Sequence, residues 1–481
     1  MSAKGNMKSE GTKVVASAPG KVILFGEHAV VYGKMAVAAA VSDMRIVVEV
    51  TSSADEYLHL ELPDLSGADG KALCLHKPVE DVAAFFSSPL TKGLASVPPT
   101  VEHVKLLESF LGDFEAAERK ALIPLMFLCL ALVPGLFLGH GGPGAKGLFI
   151  TAFSASLPVG AGLGSSAAFC VASSAALLRL GRLLGCGGRG QSGSKAEYGA
   201  NAGHNGHNGG NCNRPPRPDL EEINSWAYAA ETLLHGNPSG LDNTVSCFGG
   251  AIKYLREPKT TEAVKGFPCL DILLTNTHVP RETRAMVEGV GCLRDRFPGP
   301  TNLVFEAIEG VAAAFLGGAV TGSLSVKEVG ELATMNHHLL CALRVSHPAL
   351  DRVRVLAEAY GCDTKLTGAG GGGCALTFLG EDLGERKEKL VADLECEGFS
   401  CHKSSIGGIG VLWHDTVPEI WGAPREGAGE KLVDNRLKGS RGRRYTWILV
   451  GVVAASSISG AVAGAAIVAL CFGGCVGSRR T

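Results

Sequence analysis

The chain has 481 residues, room for two or three domains at ~100 to 200 residues each, and its 46% hydrophobic content excludes a wholly disordered chain. Lys plus Arg total 45 against 47 acidic residues, a formal charge of -2, so no global field gathers nucleic acid and no nucleic-acid partner is expected. Glycine is the unusual component at 65 residues, about twice the ~7% average and without a collagen-like period. Fifteen cysteines are scattered without a Cys-x-x-Cys pair, which predicts reduced thiols in a cytosolic domain.

Residues 1–12 form a polar N-terminus without an apolar signal-peptide core. Segments 14–17, 22–25, 46–50, 58–62 and 148–153 are short and rich in β-branched or alternating apolar residues, and predict strands. The uncharged run 121–145 is interrupted by Pro124, Pro134, Gly135, Gly139 and His140, and predicts a buried core helix near 121–132 rather than a membrane span. Helical periodicity appears at 101–111, 165–184, 219–235, 303–316, 326–344 and 349–360. Residues 185–218 are too poor in large apolar side chains to offset the entropy of ordering and predict a flexible Gly/Asn-rich insertion. Its His204 and His207 read as solvated side chains rather than metal ligands.

Segments 270–275, 374–379, 402–406 and 411–413 supply strands for a second domain. Runs of strands followed by runs of helices give an α+β class, with an N-terminal domain over 13–240 and a C-terminal domain over 241–416. A basic linker, 417–444, leads to a transmembrane helix candidate at 445–477, inside a stretch of 34 uncharged residues from Tyr445 to Ser478. A packing helix or a misread end of the gene is the alternative there. Arg436, Lys438, Arg441, Arg443 and Arg444 precede the segment and only Arg479, Arg480 and Thr481 follow it. That pattern predicts a tail anchor with the preceding domains in the cytosol, on the endoplasmic reticulum, the peroxisome or the mitochondrial outer membrane. Gly460-x-x-x-Gly464 supports helix pairing and a homodimer.

Four segments carry chemistry. Leu157-Pro-Val-Gly160-Ala161-Gly162-Leu163-Gly164-Ser165-Ser166 follows a strand and opens a helix. Glycines let the backbone approach phosphate oxygens, and the unpaired N–H groups and dipole of a helix start favour an anion. A tight turn with an N-cap is the plainer reading, but two adjacent hydroxyls at the helix mouth favour nucleotide phosphate and Mg2+. Leu366 to Cys374 contains a formal Gly-x-Gly-x-x-Gly, yet a strand follows it instead of a helix, so it reads as a cleft wall and not a dinucleotide site. Lys21 heads an apolar strand, and Glu27-His28 stand just past its end. Glu231 lies near the end of one helix, and Asp242 lies beyond the turn Asn237-Pro-Ser-Gly240. Such a spacing lets two carboxylates face one cleft, one holding a metal and the other acting as base.

Together these segments resemble the GHMP family of small-molecule kinases, and within it the members that phosphorylate mevalonate. The first segment runs Ala18-Pro-Gly-Lys21-Val-Ile-Leu-Phe-Gly-Glu27-His28-Ala-Val-Val-Tyr-Gly33. The glycine loop, the Asn-Pro-Ser-Gly-x-Asp-Asn turn, the segment 276–284 and Lys365-Leu-Thr-Gly-Ala-Gly-Gly-Gly-Gly-Cys374 follow in the family's chain order. The resemblance covers about residues 14–415 and implies a ribosomal-protein-S5-like N-terminal domain joined to a GHMP C-terminal domain. It implies ATP- and Mg2+-dependent phosphorylation of the 5-hydroxyl of mevalonate, with Asp242 as base and Lys21 stabilising the alkoxide and the γ-phosphate. Ser166 and Glu231 would hold Mg2+; Gly160, Ala161, Gly162, Leu163, Gly164, Ser165 and Ser166 would wrap the phosphates. Glu27, His28 and Thr283 would lie on the mevalonate side.

Two positions depart from the family pattern: Asp64 and Ala155 stand where Asn and Ser often contact the nucleotide, with Ser154 and Ser156 flanking the latter. The rival within the family is a phosphomevalonate kinase or a diphosphomevalonate decarboxylase, which would need more basic residues for its substrate. A non-catalytic binding protein of the same fold would be expected to lack Lys21, Glu231 or Asp242, and all three are present.

Overall fold

A computed structural model describes residues 11–67, 70–87, 99–139, 147–158, 161–186, 214–280, 282–380 and 383–421. The core of the Gly/Asn-rich insertion, most of the basic linker, the segment 445–477 and Gly160 lie outside the described residues.

The strands are β1 (Lys13–Phe25), β2 (Ala36–Ser53), β3 (Tyr57–Ser66), β4 (Ala72–Pro78), β5 (Gly147–Ala155), β6 (Ala251–Leu255), β7 (Thr260–Ala263), β8 (Leu270–Asn276), β9 (Thr364–Leu366), β10 (Cys374–Phe378), β11 (Ser400–Ile406) and β12 (Leu412–His414). The helices are α1 (Val79–Ser87), α2 (Val101–Phe110), α3 (Ala116–Leu132), α4 (Pro134–Phe137), α5 (Ser165–Leu184), α6 (Arg217–His235), α7 (Leu241–Phe248), α8 (Thr283–Arg296), α9 (Pro298–Thr321), α10 (Val326–Ala342), α11 (Pro348–Ala359) and α12 (Arg386–Cys396). Among the described residues one mixed sheet runs in the order β4-β3-β5-β2-β11-β8-β10-β9, with β1, β6, β7 and β12 branching from it. The α+β class read from the sequence holds. Strands β3 and β5 pair in parallel, whereas β2 is antiparallel to β1, β5, β6 and β11. The two halves of the sheet meet at one registered pair, Ile406 opposite Val41.

Helix α5 matches its periodicity-based bounds and lies in the core. Ala167, Ala168, Ala172, Ala175 and Ala176 are fully buried on it, and such small side chains let a helix approach a sheet closely. The uncharged run after Ala121 does form a core helix: every residue of α3 from Leu122 to Leu132 is buried. Helix α3 accommodates Pro124 in its interior.

Strand assignments change in several places. Segments 14–17 and 22–25 are one strand, β1, with a register shift between Pro19 and Gly20. Proline has no N–H to give to a ladder, so a bulge is where a strand can hold it. The hairpin β6–β7 extends β2 by pairing Ala36 to Ala39 with Tyr254 to Ala251. The segment 411–413, expected in the second domain, instead returns to the first, its residues 412 and 413 forming part of β12, which pairs Ser17 with Leu412 and Val15 with His414. Side chains hold that return in place. Trp413 Nε1 donates to the Ala175 carbonyl at 3.0 Å, and the buried Arg45 guanidinium donates to the carbonyls of Gly410 at 2.6 Å and Ile409 at 3.2 Å.

Candidate active site

Strand β1 delivers Lys21 between two loops. The Lys21 N–H donates to the Leu163 carbonyl of the glycine loop at 2.8 Å. Two residues on, Ile23 donates to Thr367 Oγ1 at 3.2 Å, and Thr367 Oγ1 donates back to the Ile23 carbonyl at 3.0 Å. Helix α5 starts at Ser165 behind Gly164, whose φ of 71° lies in the left-handed region, and no side chain caps it. Its first N–H groups are therefore available to an anion. Gly164 also makes room for Lys21, because a Cβ at residue 164 would meet Lys21 Cγ at 2.9 Å.

Asp242 reaches the same place from the first turn of α7. Its Oδ1 lies 3.1 Å from Lys21 Nζ, the lysine side chain 9% exposed and the aspartate 33%. From the end of α6, buried Glu231 accepts from Ser166 Oγ at 3.4 Å. Its carboxyl is pushed up to about 8 by burial and by the charge of Asp242, against the opposing pull of the Ser166 hydroxyl and Lys21. A buried carboxylate beside a hydroxyl, with a second carboxylate close enough to raise its proton affinity, is a hard-oxygen donor set suited to Mg2+. These residues fit the ion.

The structure thus brings together Lys21, Leu163, Gly164, Ser166, Glu231 and Asp242, and Ala161, Gly162 and Ser165 lie in the same loop and helix start. It adds His235, the last residue of α6, whose Nε2 lies 3.1 Å from Ser166 Oγ. Its offset of four residues from Glu231 is one helical turn, and that spacing was the available signal.

The expected substrate-side residues divide. His28 is buried, with a φ of 59°, and its Nε2 donates to the Ala369 carbonyl at 2.9 Å. Burial lowers its pKa below the usual imidazole range, against the raising effects of that hydrogen bond and of Glu27. Thr283 is exposed at the first position of α8, one turn before Met286, which packs against Gly371 of the glycine-rich loop. Glu27 corrects the expectation. Its side chain is 0% exposed, one oxygen paired with Lys365 Nζ and the other accepting from Asn336 Nδ2 at 3.0 Å. A carboxylate committed to two buried donors has no free face for a substrate. Asp64, at the departure noted above, accepts the Ser154 N–H at 2.5 Å, and burial raises its pKa.

Among the described residues His337, Cys341 and Asp351 have metal-ligand chemistry, with ligand atoms all within 4.8 Å of one another. Yet His337 Nδ1 accepts the Leu366 N–H at 3.3 Å, so the neutral ring keeps its proton on Nε2. That nitrogen is the one facing Cys341 Sγ at 3.6 Å and Asp351 Oδ1 at 3.5 Å, and it offers no lone pair to a metal.

The fold and site define a small-molecule kinase. Residues 136–216 match the GHMP kinases N terminal domain and residues 313–395 the GHMP kinases C terminal. The mevalonate kinase of Candida albicans is 34% identical over 428 residues, covering 84% of this chain and 91% of that protein. The mevalonate kinase of Homo sapiens is 37% identical over 416 residues, covering 84% and 96%. Among solved structures, the Methanococcus jannaschii mevalonate kinase superposes with a TM-score of 0.56 at 21% identity, covering 82% of this chain and 98% of that one. The chain belongs to the GHMP kinase family, and within it to the mevalonate kinases.

Proposed function

We propose that this chain transfers the γ-phosphoryl group of ATP to the 5-hydroxyl of (R)-mevalonate, giving 5-phosphomevalonate for isoprenoid and sterol synthesis. The observation that carries the reading is the Lys21–Asp242 pair at 3.1 Å, set beside an uncapped helix start. Phosphoryl transfer needs positioning and charge stabilisation more than covalent chemistry. Asp242 Oδ accepts the proton of the attacking hydroxyl. Lys21 Nζ, a compact point charge, stabilises the developing alkoxide and the γ-phosphate oxygens. The N–H groups of α5 and the glycine loop hold the rest of the triphosphate. Ser166 and Glu231 are the residues that would hold Mg2+, which when bound neutralises phosphate charge.

The test is ADP release from MgATP with mevalonate, phosphomevalonate and galactose in parallel. Turnover with mevalonate, well above that with the other two, is the expected result. Preference for phosphomevalonate or galactose would replace this reading with another activity of the family.

The uncharged stretch from Tyr445 to Ser478 supports a membrane anchor that keeps the kinase facing the cytosol, with Gly460 and Gly464 supporting a homodimer. Fractionation of the full chain beside one ending at residue 440 tests this. The anchor reading fails if both stay soluble after a carbonate wash of membranes.

A further inference from the structure

The ion pair between Lys365 and Glu27 is 0% exposed on both sides and lies outside the transfer chemistry just derived. We infer that Lys365 and Asn336 are positioning residues for the acceptor side of the site, acting through Glu27 to fix His28 and the strand that carries Lys21. The inference deepens the kinase reading and rests on it.

The connections are specific. Lys365 Nζ donates to Glu27 Oε1, to the Leu366 carbonyl at 2.6 Å and to the Ile23 carbonyl at 3.4 Å. Asn336 Nδ2 takes the second oxygen of Glu27 at 3.0 Å. Thr367 and Ile23 exchange two hydrogen bonds, and His28 Nε2 donates to Ala369. Apart from the bond between Lys365 and its neighbour Leu366, every tie runs from the end of β1 and its following turn, residues 23–28, to α10 or to residues 365–369. No strand pairing joins β1 to β9 among the described residues, so side chains make this joint.

Stability alone is a weak reason for such a pair. Burying two charges costs desolvation that their attraction only partly returns, and an apolar pair of similar volume often serves as well. A charge pair with three further acceptors and donors supplies direction. Direction is what this turn requires, because His28 sits at a φ of 59°, a region that a non-glycine side chain keeps only when its surroundings fix it. The Glu27 carboxylate is one residue before that strained position, and Ile23 is two residues after Lys21. Releasing Glu27 therefore frees the His28 turn first and the Lys21 end of β1 second, while Leu163 and α5 stay in place. The acceptor side loses order and the nucleotide side keeps it.

The test compares Lys365→Met with the double variant Glu27→Gln/Lys365→Met, both in the full chain, beside wild type. The readouts are KM for mevalonate, kcat, the Kd of a fluorescent ATP analogue, and Tm. In Lys365→Met the KM for mevalonate should rise about tenfold or more, with nucleotide Kd within about twofold. The double variant leaves no unpaired charge; it should regain most of the Tm and keep the KM defect. Asn336→Ala, with the charge pair intact, should move KM in the same direction and supplies the comparison if the charge variants fail to fold. Wild-type KM and kcat in the double variant, whatever its Tm, would make the pair a structural element only and overturn the inference. Equal loss of nucleotide and mevalonate affinity would overturn it as well. A wild-type enzyme inactive on mevalonate is a different outcome, since it refutes the kinase reading itself.

Discussion

Lys21 and Asp242 are 221 positions apart and meet at 3.1 Å, the lysine arriving on a bulged strand and the aspartate on the first turn of a short helix. The strand is held on one side by Leu163 and on the other by Thr367. The carboxylate proposed as base and the cation beside it are thereby held by three separate segments.

Replacing Lys21 with Met keeps the stem that packs beneath Gly164 and removes the charge. We expect kcat to fall by at least ~10², the scale of losing one preorganised transition-state donor, and nucleotide affinity to fall far less. Steady-state kinetics with a separate nucleotide-binding titration decide it. A loss seen wholly in KM for ATP would show that Lys21 only binds.

Gly164→Ala tests the fit of the loop. The new Cβ would stand 2.9 Å from Lys21 Cγ, at a residue whose φ is 71°. The backbone strain costs on the order of 1 kcal/mol, and displacing Lys21 by even a fraction of an ångström should lower kcat about tenfold or more. An unchanged kcat with a lowered Tm would mean that the lysine position does not matter at that scale.

For the metal, Ser166→Ala and Glu231→Gln should each raise the Mg2+ concentration needed for half-maximal rate. Their combined effect should be less than additive, because both would ligate one ion. Strict additivity in a Mg2+ titration of the two single variants and the double variant would argue against a shared site.

Stability should fall in mild acid. Burial, with the nearby Lys365 charge, lowers His337 from its ordinary 6.5 to about 4, and burial lowers His414 to about 4 in the same sense. Between those values the unfolded chain binds a proton that the folded chain refuses, so stability is full above pH 6.5 and is lost as pH falls toward 4. For the nearly inaccessible His337 the loss is on the order of 3 kcal/mol. Tm measured from pH 7 to 4.5 should drop, and His337→Gln should flatten part of the drop. An equally steep fall in the variant would assign the acid sensitivity elsewhere.

How much of this was legible in the sequence depended on where each signal was local. Helices α3 and α5 announce themselves by apolar runs and periodicity within single segments, and the glycine loop with its two serines reads directly as an anion site. Short elements are weaker: α7 has eight residues and β12 three, too few for a period to emerge, and β12 owes its place to long-range bonds, from Arg45 to Gly410 and from Trp413 to Ala175, rather than to any pattern of its own. Glu27 shows the limit most clearly. An acidic residue just past an apolar strand looks the same whether it faces a substrate or a buried lysine, and its lysine stands 338 positions later. That Glu231 and Asp242 can share a cleft was readable from their spacing, whereas the place of Lys21 beside them followed from family resemblance, because no spacing rule connects the lysine to the two carboxylates. His235 was missed, although it lies one helical turn from Glu231.

The most direct measurement is the rate of mevalonate phosphorylation by Asp242→Asn, with nucleotide binding measured on the same preparation. The amide keeps the shape and cannot accept the hydroxyl proton, so a loss of at least ~10² in rate is expected, with nucleotide Kd within about twofold of wild type. A variant retaining more than about a tenth of the wild-type rate would contradict the assignment of Asp242 as the base.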